Sequence, residues 1–502
     1  MTISQQRQIR DKTITAAQWA DMVKTGDWIY TGGPGSDPVA TIDALCQKLG
    51  SGPEQVRDIE LWSQCNTLFA PLLAKADPTA EYCLFHEYFF NGETRRWNDQ
   101  QHSVDWGHWG WSAGMNYLYA RWARKKKEES SIDWAVVSVA PPENGHVNFS
   151  YGVANSMTAV RSAKKTVVEI REDYPWCEPG RNIILPIEEV DYFVEVDLSN
   201  PTYRWPQVNE SETRITDADR AIARNILTIM GDGDCLQVGI GAIPLAVALS
   251  AKDAGLKHLG VHTEMGGEWM FTLIEAGCID NSRKSLDPGR CTYNFMFPLN
   301  VDRYKQFLHH NGFFAGYDSF YTNNIITLSK NDHAIGINGF LAMDLYGQDA
   351  CGLLAGRPVS GTGGQFQFIV GCAMAKGGRG VLAATSRDGK GRPRFVPSLP
   401  QGTIVDVPSQ FVSWVATENG IVNLSGKSQA EKAHDIINVL AHPDDRETLE
   451  RAAHEMHLLP RVYKLSENRR YPDYWKDLRD YKHVYTSEME GWEYQGNRWS
   501  GK

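Results

Sequence analysis

Two segments in the second half of the chain hold the residue types best suited to an anion and a reacting carboxylate. Gly239-Ile240-Gly241-Ala242-Ile243-Pro244 follows the apolar run Cys235 to Val238 and precedes Leu245, Val247 and Leu249. The order reads as a buried strand, a glycine turn and a helix opened by proline, whose fixed φ suits a first helical turn. Free N–H groups at such a turn face an anion or a developing oxyanion. About one strand-helix-strand interval later, Leu259-Gly260-Val261-His262-Thr263-Glu264-Met265 reads as a strand ending in a carboxylate. The carboxyl ends of parallel strands are where α/β sheets keep ligands.

Two readings of this pair stay open on spacing alone. A dinucleotide site would place a pyrophosphate on the Gly-x-Gly turn and a ribose hydroxyl on Glu264, but Pro244 stands where the third glycine belongs. Otherwise the glycines simply make a tight turn and Glu264 caps the next helix. Further along, Ser360-Gly361-Thr362-Gly363-Gly364-Gln365 sets small residues before a helix through Ile369, Val370 and Met374. A loop with so little side chain lets a phosphate or pantetheine chain approach the backbone. Thr417-Glu418-Asn419-Gly420 puts another carboxylate after an apolar strand, Phe411 to Val415, where helix capping is the simpler local role.

The elements that must position these residues are written twice. Gly26-Asp27, a short apolar run, Gly32-Gly33-Pro34-Gly35 and the helical run Val39, Ile42, Leu45 match Gly233-Asp234, the run Cys235 to Val238, the glycine turn and the helical run Leu245, Val247, Leu249. Val136 to Val139 is echoed by Ala334 to Ile337, and Lys165 to Ile170 by Arg379 to Ala384, in the same order. The repetition implies two similar open α/β domains with mainly parallel sheets. The expected division is 1–212, 213–460 and an extension 461–502 of mixed charge and aromatics. Thr216, with Asp219 three residues on, reads as the cap of the first helix of the second half.

At 502 residues, 42% hydrophobic and 22% charged, the chain is long enough for two or more lobes. A net charge of −10 excludes a general nucleic-acid or anionic-membrane binder, though it leaves room for a local basic pocket. Nine scattered cysteines without a C-x-x-C pair read as reduced thiols of a cytoplasmic protein. No signal peptide or membrane span is expected. His454-Glu455-Met456-His457 lacks metal-site spacing and reads as a solvated helix, and the basic run 124–127 as the end of another.

The order Gly239-Ile240-Gly241-Ala242-Ile243-Pro244, Val261-His262-Thr263-Glu264-Met265, Asn338-Gly339, Asp344-Leu345-Tyr346-Gly347-Gln348, Gly361-Thr362-Gly363-Gly364-Gln365, Lys376-Gly377-Gly378 and Thr417-Glu418-Asn419-Gly420 resembles the acetyl-CoA hydrolase/transferase family. These are class I CoA-transferases, and the 4-hydroxybutyrate/butyrate type is the nearest. The likeness is dense from 216 to 460 and thinner from 20 to 200, where Pro141-Pro142-Glu143-Asn144-Gly145-His146 is similar to a family segment.

The resemblance implies a fold of the CoA-transferase type and a ping-pong transfer of CoA between acetyl-CoA and butyrate- or 4-hydroxybutyrate-like acids. It implies that Glu264, already ionised, is the nucleophile that becomes a glutamyl-CoA thioester. Ile240 and Gly364 would supply the oxyanion hole. Gly239, Ile240, Gly241, Ala242, Ile243, Leu341, Ser360, Gly361, Gly363, Gly364 and Lys390 would bind CoA. Glu418 matches a second active-site glutamate, and Asn323 or Asn324 an active-site asparagine. No resident cofactor or metal is implied, CoA being substrate and transient adduct, and the expected assembly is a homodimer or larger homo-oligomer. Hydrolysis of acyl-CoA on the same site is the alternative, and a NAD-binding oxidoreductase a more distant one. One segment departs from the family: Asp105-Trp106-Gly107-His108-Trp109-Gly110-Trp111, followed by Tyr117 and Tyr119, is aromatic where relatives are mostly aliphatic. It reads as a packed edge or subunit contact, with an altered acyl pocket as the sharper alternative.

Overall fold

The computed structural model describes residues 1–65, 67–101, 103–112, 129–207, 214–239, 241–460, 492–494 and 499–501. Seven strands of the first half form one sheet: β1 (Trp28–Thr31), β2 (Ile59–Ser63), β3 (Cys83–Glu87), β4 (Val104–Trp106), β5 (Ile132–Glu143), β6 (Ala163–Ile170) and β7 (Tyr192–Glu195). Seven of the second half form another: β8 (Cys235–Val238), β9 (Gly260–Gly266), β10 (Cys291–Met296), β11 (Phe314–Tyr317), β12 (Ala334–Gly339), β13 (Arg379–Ala383) and β14 (Trp414–Thr417). Their spatial orders are β7-β6-β5-β1-β2-β3-β4 and β14-β13-β12-β8-β9-β10-β11. Every neighbouring pair is parallel. Adding seven to each label converts the first sheet into the second, so the duplication read from the sequence is a duplication of topology.

The strands are buried on both faces, as parallel strands covered by helices must be; all four residues of β8 and all six of β10 are buried. Each half begins its central strand in the same way. Gly26 and Gly233 take left-handed φ of 85° and 82°, which only glycine adopts without strain. The Asp that follows turns its carboxylate back onto the N–H three residues earlier, Asp27 onto Lys24 at 2.9 Å and Asp234 onto Gly231 at 2.8 Å. Thr216 caps the helix Asp217–Leu227 in a reciprocal box with Asp219.

From β1 and from β8 the chain builds outward on one side, then returns to start on the other. The β1/β5 and β8/β12 borders are therefore the points where strand order reverses and where open α/β sheets bind ligands. The two halves use them differently. After β1, Gly35 has φ +79°, and a Cβ there would lie 2.5 Å from the Met296 carbonyl oxygen of β10. This first glycine loop is closed by packing against the second half. After β8, Gly241 has φ +118° and open space where its Cβ would be.

The halves also interlock. Residues 151–154 run beside β10, where Met296 N–H donates to the Tyr151 carbonyl and Ala154 N–H to that of Asn294, each at 3.0 Å. Pro179–Arg181, from the first half, lies parallel to β11 at the edge of the second sheet. Gly420–Asn423 covers the opposite edge, antiparallel to β14. The expected division near residue 212 falls within 208–213, outside the described residues, as do Tyr117, Tyr119 and the basic run 124–127. Of the expected extension after 460, only Trp492–Tyr494 and Trp499–Gly501 are described beyond that residue; they pair antiparallel.

Candidate active site

Glu264 stands near the carboxyl end of β9 and lines a cavity of about 220 Å³. Its Oε2 accepts a hydrogen bond from the backbone N–H of Gly364 at 3.1 Å. Gly364 directly precedes the helix Gln365–Met374, so that N–H is one of the unpaired donors of a helix start. A Cβ on residue 364 would lie 2.9 Å from the carboxyl carbon of Glu264 and collide with the Asn323 amide. Only glycine fits.

Asn323 follows the short helix Ser319–Thr322 and is fully buried beside the glutamate. Its Oδ1 accepts from Thr322 Oγ1 at 2.8 Å, which leaves the NH2 group for the Glu264 side. The turn is braced by His262, two residues before Glu264. Asn331 Nδ2 donates to His262 Nδ1 at 3.0 Å, so Nε2 carries the proton and donates to the Thr322 carbonyl, also at 3.0 Å. Burial pushes the imidazole pKa down to about 4, keeping it neutral. Asn324 instead caps the helix Ile325–Leu328, accepting from Ile326 and Thr327 N–H. The geometry thus selects Asn323 over Asn324 as the residue against Glu264.

The electrostatics correct one expectation. Burial among apolar side chains raises the Glu264 carboxyl to about 8, against the opposing pull of the Asn323 side chain and the Gly364 N–H. Burial thus favours the protonated carboxyl near neutral pH, where the sequence suggests an ionised one. The sequence shows the carboxylate at a strand end but not the rings around it: Phe89, Trp111, Phe295 and Phe297 share the cavity lining.

Trp111 belongs to the aromatic segment, which the structure divides between both of its readings. Trp106 Nε1 donates to the Ser360 carbonyl at 2.6 Å, and Trp111 N–H to that of Gly363 at 3.0 Å. His108 Nε2 lies 2.9 Å from Asp406 Oδ1, while Asp406 Oδ2 accepts from the N–H groups of Cys351 and Gly352. Although burial acts to raise the Asp406 pKa, these hydrogen bonds hold it below the ordinary value. Trp106 and His108 are therefore packing residues that clip the glycine loop of the second half. Trp111 forms pocket wall.

A second cavity of about 280 Å³ adjoins the first and shares Gly239, Asn338 and Gly339 with it. All three lie at or just beyond the carboxyl ends of β8 and β12, at the strand-order reversal. Of the residues expected to hold CoA, Gly239, Ser360, Gly361, Gly363 and Gly364 line the first cavity, and Ala242 and Ile243 the second. Gly241, Leu341 and Lys390 line neither; Lys390 is exposed in a turn anchored on Asp388. Ile240 lies outside the described residues. Glu418 also lines neither cavity, its carboxylate accepting from the N–H (2.8 Å) and hydroxyl of Ser386.

Sequence reasoning missed Cys65, Phe89 and Arg394. Arg394 lines the second cavity and donates to the Leu341 carbonyl at 3.0 Å, with a buried Nε that has no partner among the described residues. Nothing in Arg392-Pro393-Arg394 singles it out before folding. Away from both cavities, Glu143, His309 and His310 bring potential metal-ligand atoms within 4.8 Å of one another. His309 Nδ1 is already occupied by the Trp176 N–H at 3.0 Å. All nine cysteines are free thiols. Among the described residues no helix is long and apolar enough to cross a membrane.

Two family models match: the acetyl-CoA hydrolase/transferase N-terminal domain over residues 2–201 and its C-terminal domain over 302–453. A 4-hydroxybutyrate coenzyme A transferase of Clostridium kluyveri is 33% identical over 327 residues, 64% of this chain and 73% of that protein. A butyryl-CoA:acetate CoA-transferase of Anaerostipes caccae is 29% identical over 471 residues, 92% of this chain and all of that one. Among solved structures, RipA from Yersinia pestis superimposes with a TM-score of 0.79 at 25% identity, covering 91% of this chain and 100% of its own.

Proposed function

The chain belongs to the acetyl-CoA hydrolase/transferase family, and from that premise we propose that it moves coenzyme A between an acyl-CoA and a free monocarboxylic acid through Glu264. The observation that carries this reading is a carboxylate at a strand end, in an apolar cavity, with one oxygen held by the Gly364 N–H.

In the first step the carboxyl, having lost its proton to solvent, attacks the acyl carbonyl carbon as the anion through Oε1, the oxygen not bonded to Gly364. The carbon–sulfur bond breaks, CoA leaves as thiolate, and an acyl-glutamyl anhydride remains. The thiolate then attacks the glutamyl carbon, and negative charge develops on Oε2, 3.1 Å from the Gly364 N–H. A donor fixed at that distance stabilises the tetrahedral intermediate without reorganisation. Ile240, outside the described residues, is the proposed second donor through its N–H. Collapse expels the acyl group as its carboxylate and leaves a glutamyl-CoA thioester. An incoming carboxylate reverses both steps and departs as the new acyl-CoA. Every electron pair is accounted for between thioester and carboxylate, so the cycle consumes no oxidant and no resident cofactor.

The thioester reaches Glu264 across Gly239, Asn338 and Gly339, with the rest of CoA over the second cavity near Ala242, Ile243 and Arg394. Gly241, Leu341 and Lys390 remain proposed contacts for parts of CoA beyond the two cavities, and Glu418 a proposed second glutamate acting through Ser386. Acetyl-CoA with butyrate- or 4-hydroxybutyrate-like acids is the starting substrate set, in a homodimeric cytoplasmic enzyme. Transfer is the proposed reaction and hydrolysis of acyl-CoA on the same site the alternative; the rings of Phe89, Trp111, Phe295 and Phe297 in the cavity lining support transfer by limiting the room for water. Intact-mass measurement after mixing with acetyl-CoA tests the reading. A covalent gain of one CoA, absent in Glu264→Ala, is expected; an unchanged mass of the unmodified chain overturns it.

A further inference from the structure

We propose that, beyond the short aliphatic acids of the starting set, this site prefers acyl groups that carry a flat apolar ring and disfavours dicarboxylic acids. This rests on the Glu264 reading and sharpens it to a substrate class.

The two cavities meet at Gly239, Asn338 and Gly339, so a thioester that crosses there and reaches Glu264 ends against residues lining the first cavity alone. Those residues include Phe89, Trp111, Met265, Phe295 and Phe297. Their rings already make a mutually supporting cluster. Trp111 lies 5.5 Å from Phe295, centroid to centroid, Phe89 meets Trp111 edge-on at 6.5 Å, and Phe295 meets Phe297 edge-on at 5.5 Å. A further ring entering such a cluster gains contacts worth about 0.5–1.5 kcal/mol beyond the area it buries. A propyl chain gains only the area.

The wall is fixed rather than adaptable. Trp111 is 4% exposed, its indole N–H donates to Asn294 Oδ1 at 3.0 Å, and its backbone N–H holds Gly363. Asn294 is itself held by Tyr317, whose carbonyl accepts from Nδ2 at 2.8 Å, and by the Ser319 hydroxyl. These bonds hold the indole in the cavity lining. Charge selects in the same direction. Among the described residues no Lys, Arg or His lines the first cavity, so a second carboxylate buried there meets no cationic partner and carries a desolvation penalty.

The test uses the full chain with acetate as acceptor and phenylacetyl-CoA, butyryl-CoA and succinyl-CoA as donors. The expected kcat/KM is about tenfold higher for phenylacetyl-CoA than for butyryl-CoA, and lowest for succinyl-CoA. Trp111→Ala is expected to lower the phenylacetyl-to-butyryl ratio about tenfold, and Phe297→Leu, which keeps bulk and removes the ring, to lower it in the same sense. A butyryl or succinyl preference, or a ratio that neither variant changes, overturns the proposal while leaving the Glu264 chemistry standing. Absence of a CoA adduct with every donor overturns the Glu264 reading and this inference with it.

Discussion

A carboxyl group that attacks a thioester works as the anion, and Glu264 sits where the anion is disfavoured. With the free-enzyme pKa raised to about 8 by burial, kcat/KM for the acyl-CoA should rise about tenfold per pH unit below that value and level off above it. A rate flat between pH 6 and 9 would show that the group is already ionised. The Asn323 amide opposes the shift, so Asn323→Ala should move the midpoint of this profile upward as well as slow turnover. The carboxylate was legible in the sequence because it ends the run Val261 to Met265. Its titration was not, because the rings responsible come from 89, 111, 295 and 297, and Phe295 reads locally as one more residue of a buried strand.

Elements repeat in this chain where backbone chemistry demands the same residues, and that is why the duplication is legible before folding. A left-handed turn needs Gly26 or Gly233, and the aspartate after it satisfies the N–H three residues back. The clip between the halves carries no such signature, since Trp106 meets Ser360 and His108 meets Asp406 only after folding. Its hub is Asp406, which accepts from His108, the Cys351 and Gly352 N–H groups and the Thr362 side chain in buried surroundings. Asp406→Asn turns one accepting oxygen into a donor and leaves at least one of those groups unmatched, a loss of about 1–3 kcal/mol. Amide hydrogen exchange should then quicken at Cys351, Gly352 and the loop Ser360–Gly364, with the strands of the second sheet little changed. Equal quickening throughout would place the aspartate in the general core rather than in the clip.

At the scale of the molecule the cavity draws on both halves, with Glu264, Phe295 and Phe297 from the second and Phe89 and Trp111 from the first. The same carboxyl ties site to stability. Its folded pKa lies above the unfolded value, so its favourable contribution is complete below about 4.5 and is lost as pH rises through about 8. Glu264→Gln should therefore match the parent in melting temperature near pH 4.5 and exceed it at pH 9. At about 1.4 kcal/mol per pH unit, the difference is on the order of 5 kcal/mol at most. A constant offset across that range would mean the carboxyl is no more costly to ionise folded than unfolded. On the proposed function, an acidic chain of net charge −10 would receive the polyanion CoA through local groups such as the cation of Arg394 at the second cavity. Pro179–Arg181 has one further effect. Without it the outer flank of β11 would present a row of free backbone groups, a template on which other chains could stack. The exposed segment that fills this flank is three residues long, places Pro179 beside Gly316, and ends in a charged arginine beside Tyr317. Displacing this segment would uncover that flank, so the first half shields the second from edge-to-edge association.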